Sequence, residues 1–193
     1  MSAMELILIR HGEGEHSLDI PRSLAIVGPR LTERGREQIA NLRSEIRPGG
    51  DDILLVSPTR RTIETALILR GDCSAPAYVT PAVGPRIFPL NTRPSPLPCD
   101  TLLSVEVIAG EFPELEVRDR ELWDAGINTI ASERFETVGR SLIDWCHRQQ
   151  SPRILMVAHD GTIHSYRQLL GEANLTRATF LGLAGWHQVR VEV

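Results

Sequence analysis

Three short runs of aliphatic residues form the most regular hydrophobic pattern in the chain. They cover residues 6–9, 53–56 and 154–157 and contain only leucine, isoleucine, valine and methionine. Unbroken apolar runs of this length are typical of strands that are buried on both faces of a parallel sheet. Between the first two runs, apolar positions recur at a helical period after Thr32, which is a suitable helix cap. This order of strand, helix and strand predicts a right-handed crossover between a parallel pair, and therefore an α/β protein.

Weaker patterns predict the remaining elements. Ser57-Pro58 is expected to open a second helix, with Ser57 as its cap. A long amphipathic helix is expected to begin at Ser132, and a further helix is expected over residues 161–170. Other predicted elements are short strands at 77–80 and 86–88, a short helix at 101–109 capped by Asp100, and a final edge strand at 186–193.

Each of the three aliphatic runs ends in side chains that are cationic or can become so. The first run leads into Arg10 and His11, the second into Arg60 and Arg61, and the third into His159. Ligands of open α/β sheets bind at the carboxyl ends of the strands, and burying cations there is costly unless something anionic meets them. The pattern therefore predicts a phosphate site with His11 as the nucleophile.

The two adjacent arginines are expected to have different roles. Arg61 falls in the first turn of a predicted helix, where free backbone N–H groups and the helix dipole favour an anion. Arg60 is expected to be a solvated surface residue. Of these two arginines, only Arg61 is therefore predicted to contact the phosphate.

In these motifs the chain resembles the histidine phosphatase superfamily, also called phosphoglycerate mutase-like. The motifs agree with the family in order and spacing, and together they span nearly the whole chain. They are Arg10-His11-Gly12-Glu13, Leu31-Thr32-Glu33-Arg34-Gly35, the stretch from Ser57-Pro58 to Thr65-Ala66, and Val157-Ala158-His159-Asp160-Gly161. The chain departs from the family in three places: Ser17 replaces the usual Asn, Asp160 replaces a frequent Gly, and the middle segment lacks the usual glutamate.

The resemblance implies both a fold and a set of roles. The implied fold is a three-layer α/β sandwich, with a mostly parallel central sheet flanked by helices. The implied roles are a phosphohistidine at His11 and a phosphate clamp formed by Arg10, Arg61 and His159, to which Ser17 is added. One domain is expected over residues 1–193. A proline-rich lid insertion is expected at about residues 71–131, and it would set the choice of substrate.

The sequence is least decisive about the acid that protonates the leaving group. Family members often use a glutamate of the middle segment, but residues 88–93 of this chain contain no carboxylate. Asp160 is the best substitute, because it follows His159 and a related branch of the superfamily uses an aspartate after its second histidine. Asp100 and Glu106 are further candidates. His16 could contact the substrate or lie at the surface.

Composition narrows the possible partners and compartments. A net charge of −4 gives no general attraction to nucleic acid or to anionic membranes. The three widely spaced cysteines argue against a disulfide framework and for a reducing compartment, so a cytoplasmic location is expected. The first apolar run is too short for a signal peptide or a membrane span. No histidine or cysteine cluster has metal-ligand spacing, so neither a metal nor another cofactor is expected.

These observations predict a metal-independent phosphomonoesterase that acts on a small soluble phosphate ester. A phosphoglycerate-type mutase is the nearest alternative, and a non-catalytic phosphate-binding domain that has lost its acid is another. Release of inorganic phosphate would distinguish the phosphatase from both alternatives. The sequence predicts neither the physiological substrate nor the oligomeric state.

Overall fold

A computed structural model of the protein describes residues 4–91 and 96–192, and a six-stranded sheet lies at its centre. The strands are Met4–Arg10 (β1), Ile53–Val56 (β2), Ala77–Val79 (β3), Glu116–Val117 (β4), Arg153–Ala158 (β5) and Trp186–Val191 (β6). Their order across the sheet is β4-β3-β2-β5-β1-β6. All neighbouring pairs are parallel except β1 and β6, which are antiparallel. Val193, the last residue of the predicted edge strand, lies outside the described residues, as do Thr92 and Arg93.

The three aliphatic runs are adjacent strands in the middle of this sheet. Met156 of β5 is in register with Leu8 of β1 on one side and with Leu55 of β2 on the other. β1 and β2 are therefore not direct neighbours, because the third aliphatic run lies between them. The two strands are nevertheless parallel, and their carboxyl ends lie at the same edge of the sheet.

Helices cover both faces of the sheet, which confirms the expected three-layer arrangement. They are Glu33–Glu45 (α1), Arg60–Arg70 (α2), Val105–Glu111 (α3), Ser132–Arg148 (α4) and Asp160–Leu169 (α5). Ile7 and Ile9 of β1 pack in one core cluster with residues of α1, α2 and α3. Leu6 and Leu8 pack in the other cluster, with residues of α4 and α5. The alternation follows from the period of two along a strand, and it explains why β1 is apolar at every position from Leu6 to Ile9.

Two predicted helix starts are wrong. Helix α2 begins at Arg60, not at Ser57, because the backbone of Ser57 still pairs with Val157 and its hydroxyl is occupied by another side chain. Helix α3 begins at Val105 and is capped by Ser104, whose side chain accepts from the N–H of Val107. Asp100 therefore does not cap α3.

The predicted strand at 86–88 is also wrong. This stretch runs irregularly beside the start of α5, where a Cβ on Gly161 would lie 2.0 Å from the carbonyl oxygen of Arg86. Its neighbours in the range 71–131 supply β3, α3 and β4, so much of that range belongs to the sheet and its cover. A lid function for the range stays a prediction.

The three cysteines of the chain, Cys73, Cys99 and Cys146, are all free thiols. No helix among the described residues has the length and apolar character needed to cross a membrane.

Candidate active site

The candidate site lies where β1 and β5 end and α2 and α5 begin. His11 directly follows β1, and its backbone N–H donates to the carbonyl of Ala158 at the end of β5. Gly12 must be small here, since a Cβ on it would lie 2.6 Å from the carbonyl oxygen of Gly35. Close packing of two backbones therefore fixes the direction in which the chain leaves β1.

Hydrogen bonds fix the tautomer of His11. Its Nδ1 lies 2.7 Å from the carbonyl oxygen of Gly12, which can only accept, so Nδ1 carries the proton. Its Nε2 therefore holds a lone pair, and the Nε–H of Arg61 donates to it over 3.3 Å. His11 is only 3% exposed. The arrangement presents a neutral imidazole whose Nε2 is available as a nucleophile.

Arg61 connects most groups of the site. One terminal nitrogen, Nη1, donates to the carbonyl of Cys99 over 2.6 Å. The other, Nη2, lies 2.8 Å from a carboxylate oxygen of Asp100 and 3.1 Å from Nδ1 of His159. The side chain is buried, although it carries a permanent charge. A buried guanidinium needs such partners, because an unpaired charge is expensive away from water.

His159 stands at the N-cap position of α5 and has both ring nitrogens engaged. Its Nδ1 accepts from Arg61, so its Nε2 donates to the hydroxyl of Ser57 over 2.8 Å. The ring centroids of His11 and His159 are 5.3 Å apart. Donation from His159 to a phosphate oxygen would therefore require one of these bonds to be exchanged.

Arg10 and Asp160 form an ion pair at the same edge of the sheet. Nη2 of Arg10 lies 2.9 Å from Oδ2 of Asp160, and Nη1 donates to the carbonyl of Leu181. The other oxygen of Asp160 accepts from the N–H of Gly161 over 2.7 Å. Arg10, His11, Arg61, His159 and Asp160 are thus brought together as the sequence predicted, while their individual roles stay predictions.

Two buried polar atoms of the site have no hydrogen-bond partner among the described residues. They are Nε of Arg10 and Nδ1 of His16. Because neither atom is bonded to another described residue, both can form a hydrogen bond with a bound ligand or with water. The ring centroid of His16 lies 5.4 Å from that of His11. The structure thus places His16 beside the nucleophile, which the sequence had left undecided.

All three histidines of the cluster are held in the neutral form. Burial lowers the pKa of His11 and of His159 well below the usual value of 6.5, and the charge of Arg61 lowers both further. Burial, followed by the charges of Arg61 and Arg10, lowers the pKa of His16 to about 3. The positive charge of the site therefore comes from the arginines, and the nucleophilic nitrogen is unprotonated at neutral pH.

Two buried or half-buried glutamates hold the loops around the site. Glu13 accepts from the hydroxyl of Thr32, the cap residue of α1. Glu64 on α2 accepts from the N–H of Leu31 over 2.8 Å and also lies 3.5 Å from Arg30 and from Arg36. These contacts tie the loop after β1 to α1 and α2. They give Glu13 and Glu64 a positioning role rather than a place among the reacting groups.

Other candidates from the sequence lie in varied surroundings. Oδ1 of Asp100 lies 2.8 Å from Nη2 of the buried Arg61. Glu106 is exposed in the first turn of α3, where bonds from its own backbone and from Ser104 lower its pKa. The hydroxyl of Ser17 donates to the carbonyl of Gly14 within its own turn. Arg60 turns away to pair with Glu111, 2.6 Å distant, on α3.

Sequence reasoning misses two contributions to the site. Ser57 is predicted to be a helix cap, although it contacts His159, and the carbonyl of Cys99 is not considered. Asp100, which the sequence offers both as a helix cap and as a candidate acid, lies against Arg61. Cys99 comes from an irregular, proline-rich stretch without hydrophobic periodicity, so no local pattern indicates its role. Within residues 4–91 and 96–192, no group of three or more His, Cys, Asp or Glu could hold a metal ion.

Comparison of the sequence with known proteins supports the resemblance. The family model of the histidine phosphatase superfamily (branch 1) matches residues 6–84. Phosphoserine phosphatase 1 from Hydrogenobacter thermophilus is 38% identical over 64 residues. That alignment covers 33% of this chain and 30% of the relative, so the chain spans under a third of the curated protein that it matches.

Comparison with solved structures extends the match of the fold to nearly the whole chain. The alpha-ribazole phosphatase from Shigella flexneri has a TM-score of 0.64 at 21% identity, covering 98% of this chain and 91% of that one. The ecdysone phosphate phosphatase from Bombix mori, solved with tungstate, has a TM-score of 0.66 at 13% identity, covering 98% and 92%. At these identities the likeness concerns the fold alone.

Proposed function

We propose that this chain is a phosphomonoesterase. The family model of the histidine phosphatase superfamily matches its residues 6–84, and its fold is similar over nearly its whole length to that of a solved phosphatase. The chain hydrolyses a small phosphate ester through a phosphohistidine on His11 and needs no metal. The names of the relatives, which are phosphatases of small phosphate esters, support this class of reaction.

The observation that carries the proposal is the state of His11. It is buried, neutral and fixed with its Nε2 lone pair toward Arg61, between two arginines and a second histidine. In the substrate complex, the phosphoryl group takes the place of the Arg61 Nε–H as the neighbour of Nε2. The long 3.3 Å contact is weak enough to be replaced.

The first chemical step transfers the phosphoryl group to His11. Nε2 attacks phosphorus as the ester P–O bond breaks, and the alcohol oxygen takes a proton from a general acid. Arg10 and Arg61 neutralise the phosphoryl oxygens, with the free Nε–H of Arg10 as one donor. His159 and Ser17 complete the clamp. Water then attacks the phosphohistidine, gives a proton to the conjugate base of the acid, and releases inorganic phosphate.

Asp160 serves as the general acid in this proposal. Its carboxylate lies 2.9 Å from Nη2 of Arg10, so it stands beside one of the two arginines proposed to bind the phosphoryl group. Its side chain is 34% exposed, so the water of the second step can reach it and return the proton. Asp100 is the competing candidate, because it contacts the other clamp arginine and is 20% exposed.

The two aspartates can be separated by their effects on different leaving groups. Nitrophenolate leaves without a proton, whereas an alkoxide does not. Asp160→Asn should therefore slow hydrolysis of an alkyl phosphate strongly and of p-nitrophenyl phosphate weakly, while Asp100→Asn should slow both to a similar degree. The opposite pattern would assign the acid to Asp100. Equal slowing of both substrates by both variants would leave neither aspartate as the acid.

The activity itself is tested with purified protein and a panel of phosphorylated metabolites, with release of inorganic phosphate as the readout. The wild type should release phosphate from at least one of them, and His11→Ala should release none. Phosphate exchange within one substrate, without release, would instead reveal a mutase. Binding of phosphate without either reaction would identify a non-catalytic domain.

A further inference from the structure

The large apolar side chains that are most exposed are concentrated on two segments. Of the six such residues in the described part of the chain, only Trp186 lies elsewhere. The other five are 37% to 67% exposed, and we call them the apolar rim: Leu18, Ile20, Ile26, Val27 and Leu97. Single exposed apolar residues are common on any protein, but clusters usually mark a binding surface.

The segments that carry the apolar rim adjoin the candidate active site. Leu18 comes two residues after His16, whose ring lies 5.4 Å from the ring of His11. Leu97 begins the turn that ends at Asp100, whose N–H donates to the carbonyl of Leu97 and whose carboxylate contacts Arg61. The two segments also adjoin each other, since the 3₁₀ turn Arg22–Ala25 contacts the turn Pro98–Asp100.

The loop that carries four of the five rim residues is well held. The buried hydroxyl of Ser23 donates to the carbonyl of His16 over 2.6 Å and accepts from the N–H of Asp19. The backbone of Ser23 makes two more bonds, to the carbonyl of Asp19 and from the N–H of Ile26. The apolar side chains are therefore presented from an ordered scaffold that is anchored to the loop bearing His16.

Charge around the site does not favour an acidic leaving group. Each arginine that surrounds it is already paired with a carboxylate among the described residues. The pairs are Arg10–Asp160, Arg22–Asp19, Arg30–Glu64, Arg60–Glu111 and Arg61–Asp100. The phosphate itself can displace carboxylates from Arg10 and Arg61. Among the described residues, a second acidic group on the substrate would find no further arginine at the rim without a carboxylate partner.

From these observations we infer that the apolar rim binds the leaving group, so that the enzyme prefers phosphate monoesters of uncharged, apolar alcohols. This inference rests on the proposed function and narrows its substrate class. The rim lies outside the reacting groups, and it acts by removing apolar surface of the alcohol from water.

A series of n-alkyl phosphates from ethyl to octyl tests this inference. For the wild type, kcat/KM should rise about fourfold for each methylene that the rim covers. The double variant Leu18→Ser, Val27→Ser should flatten this dependence while leaving ethyl phosphate nearly unaffected. Arg22→Ser, an exposed residue of the same loop that removes no apolar side chain, is the matched control and should keep the wild-type dependence.

Binding of n-alkylphosphonates, measured by calorimetry, separates this inference from the proposed function. Affinity should rise with chain length in the wild type whether or not the protein turns over esters. If no ester is hydrolysed but this trend persists, the proposed function fails and the apolar site stands. If esters are hydrolysed with no dependence on chain length, the inference fails alone. A wild-type dimer that the double variant dissociates would also overturn it, because the rim would then be a subunit contact.

Discussion

Replacing Arg61 and Arg60 in turn is a sharp test of the site, because the two residues are adjacent in sequence and differ in every contact. Arg61 is 2% exposed and touches His11, His159 and Asp100. Arg60 bonds to the exposed carboxylate of Glu111 and lies over the ring of Phe112, with its Cζ 5.7 Å from the ring centroid. Removing a charge-assisted contact that strengthens in the transition state costs on the order of 3 kcal/mol, about a hundredfold in rate. Arg61→Ala should lose at least that much, whereas Arg60→Ala should stay within about threefold of the wild type.

The assay is release of phosphate from p-nitrophenyl phosphate, with kcat and KM measured separately for each variant. A urea melt of each protein shows whether the fold survives, because Arg61→Ala also removes the partner of Asp100. Arg61→Lys is a useful second variant, since it keeps the charge and loses the planar fork that contacts several groups at once. Equal losses for Arg60→Ala and Arg61→Ala would refute the assignment of the clamp to Arg61.

Three further predictions follow from the same geometry. Because burial lowers the pKa of His11, kcat/KM calculated for the dianionic form of the substrate should stay constant as pH falls through 6.5 and should decline only at lower pH. A decline centred at pH 6.5 would contradict a His11 that burial keeps neutral. Activity should survive EDTA, and loss that a divalent ion restores would contradict the organic clamp. Gly35→Ala should destabilise the fold by about 1–3 kcal/mol, because the new Cβ would lie 2.1 Å from the carbonyl of Glu13. Gly110→Ala on α3, with nothing within 4 Å, is its control and should be neutral or slightly stabilising in a chemical melt.

The core of the fold could be predicted from the sequence because its signals are local and strong. The runs 6–9, 53–56 and 154–157 are apolar at every position, and no structure other than a buried strand accommodates them as well at this length. The cationic residues that follow them meet because parallel strands end at one edge of the sheet. The neighbours of each strand could not be predicted, since periodicity does not say that β5 lies between β1 and β2.

The errors in the sequence reasoning share a cause. Ser57 and Asp100 are both good helix caps by residue type, yet each bonds to a distant side chain instead. Such long-range contacts override local preference, and a single sequence does not record them. The stretch 86–88 has the composition of a strand, but tight packing against Gly161 leaves it irregular.

Detection of a phosphohistidine on His11 tests the central claim most directly. The wild-type protein is mixed with an ester that it hydrolyses, quenched rapidly without acid, digested, and analysed by mass spectrometry beside His11→Ala. The account predicts a phosphoryl group on the peptide that contains His11. This group should be stable in base and labile in acid, and its rate of formation should be at least equal to kcat. Full turnover in His11→Ala, or a phosphoryl group on another residue, would contradict it.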